Sequence, residues 1–194
     1  MSLYQSVREF WQNPRSHEFK EIQKPRLIQW RRETSTLRIR RPTRIDRART
    51  LGYKAKQGYV VVRTKVRRGG ARISRPNRGR KGKNLATSGV TSSRNLRAIA
   101  ETRTARKFTN LEVLGSYWVG QDGKSKWFEV ILVDPVHPAI MSDHRINWIR
   151  SKRHKGRAFR GLTSAGDRGR GLHRKGKGAE KARPSRNRHG NRNK

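Results

Sequence analysis

Apolar and polar side chains alternate most regularly between Tyr59 and Val66, where the sequence reads YVVVRTKV. Side chains two residues apart in an extended strand lie on the same face. One face of this strand grades from aromatic to cationic, and the other face is apolar or threonine. The pattern predicts a strand that buries one side in protein and places its charged end, at Arg63 and Lys65, on an anion.

Two further apolar runs, at residues 111–119 and 126–133, flank the connection GQDGKS. The Asp122-Gly123 pair in this connection is a strong signal for a β-hairpin turn. The second run, which begins WFEVILV at Trp127, is almost continuously apolar, as is typical of a central strand covered on both faces. The spacing therefore predicts a strand pair whose second strand lies inside a sheet.

Apolar residues at helical spacing predict several helices elsewhere in the chain. Ser2 begins the first helix, and Pro25 interrupts the second. A longer helix follows a cap at Ser92 or Ser93. The predicted helical segments are residues 2–13, 16–30, 46–51 and 94–107 with two turns inside 138–149, and the basic residues 31–32 and 38–44 are predicted to be loop.

The order of these elements, helices followed by β, α, β and β, predicts an α+β fold with a small sheet and packing helices. Residues 1–149 form the predicted core, interrupted by a long basic loop at about residues 69–93. Glycine, proline, serine and cations dominate this loop, so it cannot bury a core of its own. Residues 150–194 contain few apolar side chains, and we predict that they form an extended basic C-terminal tail.

The net charge of the chain indicates the kind of partner that it binds. The chain carries 50 Lys and Arg against 13 Asp and Glu, a formal net charge of +37 with a pI near 12.0. Self-repulsion at this charge is severe, so a polyanion is the expected partner. The absence of cysteine excludes disulfides and thiolate metal sites. No apolar run is long enough to span a membrane and no secretory signal is visible, so we expect an intracellular protein with no membrane partner.

The sequence contains no recognisable catalytic or cofactor-binding motif. The connection from Gly120 to Ser125 differs from a phosphate-binding loop, because its glycines are too close together and a strand follows it. The histidines are scattered without the spacing of a metal site, and the acidic residues form no pair typical of hydrolases. We therefore predict no enzymatic activity, no cofactor, no metal and no small-molecule substrate.

Basic residues cluster in runs that recur without counter-charges. A short charge run usually forms a solvated face, but runs that dominate a chain indicate contacts with phosphates. Arginine bridges phosphates or stacks on bases, and interleaved glycines let the backbone approach closely. The residues predicted to bind nucleic acid are Arg38, Arg40, Arg41, Arg44, Arg47, Arg49, Lys54, Lys56, Arg63, Lys65, Arg67, Arg68, Arg72, Arg75, Arg78, Arg80, Lys81, Lys83, Arg157, Phe159, Arg160, Arg168, Arg170, Arg174 and Lys175.

Four aromatic residues are candidates for stacking on unpaired bases. For Tyr53, Tyr59 and Trp118, the sequence leaves stacking and packing in the core equally open. Phe159 lies alone in a basic segment, and we expect it near an RNA surface.

Several segments together resemble one family. Residues 42–70, PTRIDRARTLGYKAKQGYVVVRTKVRRGG, resemble the signature of the L-fifteen-e family of archaeal and eukaryotic large-subunit ribosomal proteins. LGSYWVG from Leu114, WFEVILVDP from Trp127 and RGLTSAG from Arg160 match the same family in the same order. The resemblance implies a small mixed sheet with packing helices, long extensions that penetrate rRNA, and a place in the cytoplasmic ribosome.

The sequence thus favours a structural protein of the large ribosomal subunit, with large-subunit rRNA and neighbouring ribosomal proteins as partners. Such a protein would neutralise phosphates and recognise the shape of the RNA, and it would read bases only where they are unpaired. A chromatin-type DNA-packaging protein is the alternative; it explains the basic tail but not the tryptophan-rich hairpin. We expect the tail to order only on RNA, with its arginines on phosphates.

Overall fold

The computed structural model describes residues 2–70, 79, 92 and 94–173 of the chain. Its helices are α1 (Leu3–Gln12), α2 (His17–Arg32), α3 (Ile45–Thr50), α4 (Leu96–Lys107), α5 (Pro138–Met141), α6 (Arg157–Arg160) and α7 (Ser164–Gly169). Its strands are β1 (Thr36–Ile39), β2 (Tyr59–Arg67), β3 (Glu112–Gln121) and β4 (Ser125–Val133). Two short 3-10 turns, Asn147–Arg150 and Lys152–His154, lie between α5 and α6.

These four strands form one sheet in the order β1-β2-β4-β3, and each neighbouring pair among them is antiparallel. β3 and β4 form the predicted hairpin. β2 and β3 run in the same direction but are not neighbours, because β4 lies between them. The expected mixed sheet is therefore corrected to an antiparallel one. β3 also carries two register shifts against β4, between Val113 and Gly115 and between Trp118 and Gly120.

β1 has no counterpart among the predicted strands, and its last two residues overlap the predicted loop 38–44. Its four residues, TLRI, are too few for a clear alternating pattern and stand beside a basic run. In the structure Leu37 pairs with Arg63, and Ile39 pairs with Val61. β1 forms because it satisfies backbone groups along the outer side of β2, which a loop would leave unpaired. The prediction of loop is wrong for residues 38 and 39.

Side chains cap the two longest helices. The Ser16 hydroxyl accepts a hydrogen bond from the Phe19 N–H at 3.3 Å and begins α2. The Asn95 Oδ1 atom accepts from the Ala98 N–H at 2.8 Å, so this residue, rather than either of the preceding serines, caps α4. Pro25 lies inside α2 without ending it, so the predicted interruption is absent.

Both faces of the sheet are covered. On one face, α2 and α3 pack over a core formed by Trp30, Ala48, Val61, Tyr117, Trp127 and Ile131. On the other face, α4 lies over Val62, Val113, Val130 and Leu132, with Val66, Ala100 and Phe128 beside them. β4 is thus the doubly covered central strand that the sequence predicts. β2 also has buried residues on both faces, which corrects the prediction that it buries one side.

Two buried carboxylates tie the helices and loops to the sheet. Glu101 of α4 accepts hydrogen bonds from the hydroxyls of Ser116 in β3 and Thr163 before α7. Glu129 of β4 accepts a hydrogen bond from the Tyr117 hydroxyl at 2.7 Å. Burial raises the pKa of both carboxyl groups, because the charged form loses its water. Their hydroxyl partners offset part of that cost and fix the chain segments that carry them.

Residues 150–173 fold onto the core, which corrects the predicted extended tail over this part of the chain. α6 and α7 pack against α4 and β3, and Ala158, Thr163 and Ala165 are buried. The Thr163 hydroxyl also accepts from the Gly166 N–H at 3.2 Å and begins α7. Small side chains and polar contacts hold this segment, so its apolar content gives little sign of folding. The rest of the predicted tail, residues 174–194, and most of the predicted basic loop lie outside the described residues.

Candidate nucleic-acid interface

Most of the predicted basic residues that the structure describes are exposed. They lie on β1 and the segment that follows it, on α3, at the end of β2, and on α6 and α7. The exposed members of this set are Arg38, Arg40, Arg41, Arg47, Arg49, Arg67, Arg68, Arg160, Arg168 and Arg170. Arg68 and Arg160 donate to backbone carbonyls and Arg170 pairs with Asp167, but all ten side chains remain open to solvent and can approach an anion.

Arg63 is an exception, because its side chain is used inside the protein. Its Nη2 atom lies 2.6 Å from Glu33 Oε2, and its guanidinium lies 4.5 Å from the centroid of the Trp30 ring. The residue is only 8% exposed. The nucleic-acid contact of Arg63 stays a prediction, and its guanidinium already has a carboxylate partner at the end of α2.

Two other predicted cations are partly engaged within the fold. Arg44 Nη2 lies 3.0 Å from Asp46 Oδ2, and its guanidinium lies 4.6 Å from the centroid of the Trp11 ring. Lys65 donates from Nζ to two backbone carbonyls at the end of α2, each at 3.2 Å. Both side chains are held in fixed positions, and Arg44 still lines the surface described below.

Lys54 and Lys56 are drawn together by one carboxylate. Asp143 Oδ2 accepts from Lys54 Nζ at 2.7 Å and from Lys56 Nζ at 2.8 Å. These two hydrogen bonds hold the pKa of the Asp143 carboxyl well below its usual value. Two cations share one anion here, so the group retains a net positive charge at the surface.

Arg157 anchors the C-terminal segment. It donates from Nε to the Val113 carbonyl and from Nη2 to the Leu162 carbonyl, each at 3.1 Å. Its guanidinium also lies 4.8 Å from the Trp148 ring centroid. Burial lowers the pKa of Arg157, although Glu112 opposes that shift. The side chain positions α6 against β3, and the predicted phosphate contact is secondary to that structural role.

The structure separates the four aromatic candidates. Tyr53 is buried and lies edge-on to Tyr59, with 5.9 Å between ring centroids. Trp118 is half-buried and packs edge-on against Trp11 at 6.1 Å. Phe159 is 43% exposed. Tyr53 is therefore a core residue, whereas Phe159 keeps a face that a base could cover.

Three basic residues that the sequence analysis does not assign to the interface lie beside three that it does. Together they surround one cavity of about 700 Å³ between α3, the start of α4, α7 and the β3–β4 hairpin. They are separated widely in sequence and come together only through strand pairing and helix packing, so no local pattern identifies them. The six residues are Arg44, Arg47, Arg94, Arg97, Lys126 and Arg168.

Eight predicted residues lie outside the part of the chain that the structure describes: Arg72, Arg75, Arg78, Arg80, Lys81, Lys83, Arg174 and Lys175.

The hairpin connection is a turn, as predicted. Asp122 Oδ1 accepts from the N–H groups of Lys124 at 2.8 Å and Ser125 at 2.6 Å, and Arg31 pairs with the same carboxylate at 2.9 Å. Among the described residues, no group of histidine, aspartate and glutamate is arranged to hold a metal ion. Within the same residues, no helix has the length and apolar content needed to cross a membrane.

The double-covered antiparallel sheet and its arginine-rich surface define a small α+β protein suited to a polyanionic partner. The chain belongs to the Ribosomal L15 family, whose model matches residues 2–189. It is 56% identical over 184 residues to the large ribosomal subunit protein eL15 of Methanospirillum hungatei JF-1, covering 95% of this chain and 94% of that protein. The resemblance seen in the sequence motifs is thereby confirmed.

Proposed function

We propose that this chain is a structural constituent of the large ribosomal subunit in the cytoplasm, which binds and stabilises folded large-subunit rRNA. Exposed arginines neutralise phosphates where RNA segments crowd together, and the rigid sheet fixes the positions of those arginines. Recognition is mainly of RNA shape, with Phe159 placed to meet an unpaired base. The proposal includes no catalytic step.

One observation carries this proposal. On the described surface, exposed arginines outnumber the carboxylates that could pair with them, and the described ion pairs are mostly partly buried ones that hold the fold together. A surface charge that the protein does not neutralise itself favours a polyanion, and phosphates of folded RNA supply it at high density.

The binding test compares folded large-subunit rRNA with duplex DNA of equal phosphate number at the same salt concentration. We expect tighter binding to the folded RNA, because shape recognition adds to phosphate attraction. Equal affinity for both would instead favour the DNA-packaging alternative.

A variant pair sharpens this test. Arg38, Arg40 and Arg41 are exposed beside β1, and replacing all three with glutamine should weaken rRNA binding. Arg103, Arg106 and Lys107 are exposed on α4 and lie outside the predicted interface, so replacing them with glutamine gives a control of equal charge. If both variants bind alike, only net charge matters and the interface is not localised as proposed.

Neighbouring large-subunit proteins are the second class of partner in this proposal. Leu3, Ile22 and Ile28 are exposed apolar side chains on α1 and α2, and a protein surface covers such groups better than phosphates do. Chemical crosslinks from these helices to protein in assembled subunits are the expected result. Crosslinks to RNA alone would restrict the partners to rRNA.

A further inference from the structure

The cavity between α3, the start of α4, α7 and the hairpin is lined by cationic and aromatic side chains. Its volume is about 700 Å³. Of the aromatic residues, Tyr117 and Phe128 are almost completely buried, whereas Trp118 is half-buried and keeps part of its ring exposed. Among the described residues, no aspartate or glutamate lines it. A concave surface of this composition matches a group that is anionic on one side and flat and apolar on the other.

Like charges converge on Arg97 at this cavity. Its Nε atom donates to the Ser116 hydroxyl at 3.0 Å, and the nearest carboxylate, Glu101, lies 4.0 Å away. Burial lowers the pKa of Arg97; Glu101 opposes this shift, and the charges of Arg47 and Arg168 add to it. The fold therefore holds three arginines close together with one buried carboxylate, which is already bonded to two hydroxyls.

Four cations around the cavity have no polar partner in the part of the chain that the structure describes. The side chains of Arg47, Arg94, Lys126 and Arg168 form no hydrogen bond or ion pair with any other described residue. The three arginines are exposed, and they come from α3, the segment before α4, and α7. Grouping these cations costs electrostatic free energy, and an anion between them would turn that repulsion into attraction.

We propose that this cavity binds one nucleotide of an RNA strand, with its phosphodiester group among the arginines and its base against Trp118. This inference rests on the proposed function, since it assigns a particular contact within the RNA interface. Arginine suits the site because its planar donors bridge two phosphate oxygens. The base contributes stacking without sequence selection, because every base has an aromatic face.

The experiment uses the full chain and a large-subunit rRNA transcript, with affinity measured over a series of salt concentrations. The cavity variant replaces Arg47, Arg94 and Arg168 with glutamine. Its control replaces Arg103, Arg106 and Lys107 with glutamine, which removes the same charge from exposed positions of α4. All six positions are exposed, so both variants should keep the fold, and circular dichroism checks this.

We expect the cavity variant to bind at least roughly tenfold more weakly than the control at about 100 mM salt. The slope of log affinity against log salt should also decrease by about 1, because the contact with one phosphate is lost. If the two variants show the same slope, the cavity is not a phosphate site and the inference is overturned.

A charge-conserving variant separates electrostatics from structure. Replacing the same three arginines with lysine should restore most of the salt slope, since lysine also neutralises phosphate. A lysine variant with the slope of the glutamine variant would overturn the inference. The wild-type preference for rRNA over duplex DNA is measured separately, so failure of the cavity and failure of the proposed function give different results.

Discussion

Individual arginines in this molecule divide by what they touch. Arg63 and Arg157 have carboxylate, carbonyl and aromatic partners within the fold, whereas Arg47 and Arg168 lie exposed at a cavity. The sequence predicts all four as nucleic-acid contacts, because it shows the charge of each residue but not its distance from a partner within the fold. Glu33 precedes Arg63 by thirty residues, and the pairing of β1 with β2 brings the two together.

Val62 tests the buried face of β2 at the scale of one side chain. It is completely buried and packs with Val113, Val130 and Leu132. A Val62→Ala change should lower the free energy of unfolding by about 1–3 kcal/mol, because it leaves a cavity in a filled core. Urea denaturation measures this loss.

Val136 supplies the matched control, because it is 75% exposed. A Val136→Ala change removes the same atoms and should alter the free energy of unfolding by less than about 0.5 kcal/mol. If both substitutions cost the same, Val62 is not part of a packed core.

Whole elements are predictable where the pattern is long. β2, β4 and the hairpin follow from alternating or continuous apolar runs, and α1 follows from helical spacing. β1 is too short to show a pattern. The segment from α6 to α7 uses alanine, threonine and glycine as its contacts, which sequence analysis does not distinguish from a solvated basic chain. Both missed features depend on surfaces that other elements provide.

The turn before α7 depends on two glycines in close approach. Gly161 has a φ of 69°, and a Cβ on Gly166 would lie 2.6 Å from the Gly161 carbonyl group. The carbon and oxygen of that carbonyl group belong to the backbone, so neither atom can move aside easily. A Gly166→Ala change should therefore lower the free energy of unfolding by about 1–3 kcal/mol. Hydrogen exchange should also become faster in α7.

Gly123 in the hairpin turn is the control for this substitution. A Cβ there would meet no atom within 4 Å, and the residue does not have a positive φ. A Gly123→Ala change should alter the free energy of unfolding by less than about 0.5 kcal/mol. Equal losses at both glycines would contradict the packing described for α7.

Asp143 links the segment before β2 to the turn after α5, and this link depends on pH. Its pKa in the folded protein lies below the ordinary value of 3.8, because Lys54 and Lys56 donate to its carboxylate. As pH falls below 3.8, the unfolded chain binds a proton before the folded protein does. The stabilisation is therefore present above that pH and is lost as pH falls toward the lower folded pKa.

An Asp143→Asn variant measures this contribution by urea denaturation at several pH values. The variant should be less stable than the wild type at pH above 3.8, and the difference should shrink as pH falls below that value. A difference that stays constant across the acid range would show that the lysine contacts do not stabilise the folded carboxylate.

The charge of the whole molecule sets its response to salt. A formal charge of +37 should make RNA affinity fall steeply as salt rises, since bound cations release counterions from the RNA. If about ten phosphates are neutralised, binding should weaken by roughly 10³–10⁵-fold between about 50 and 200 mM salt. Filter binding over this range measures the slope, and a nearly flat response would refute phosphate neutralisation as the main source of affinity.

The two outer strands of the sheet determine how the protein behaves before it meets RNA. β1 has four residues and is followed at once by Arg40 and Arg41, while the register shifts interrupt β3 at two places. Short, charged or irregular edges are poor templates for a strand from another molecule. Before it binds RNA, one copy of the protein should therefore not pair edge to edge with another copy. The outer strands protect it from aggregation while its charge is not yet neutralised.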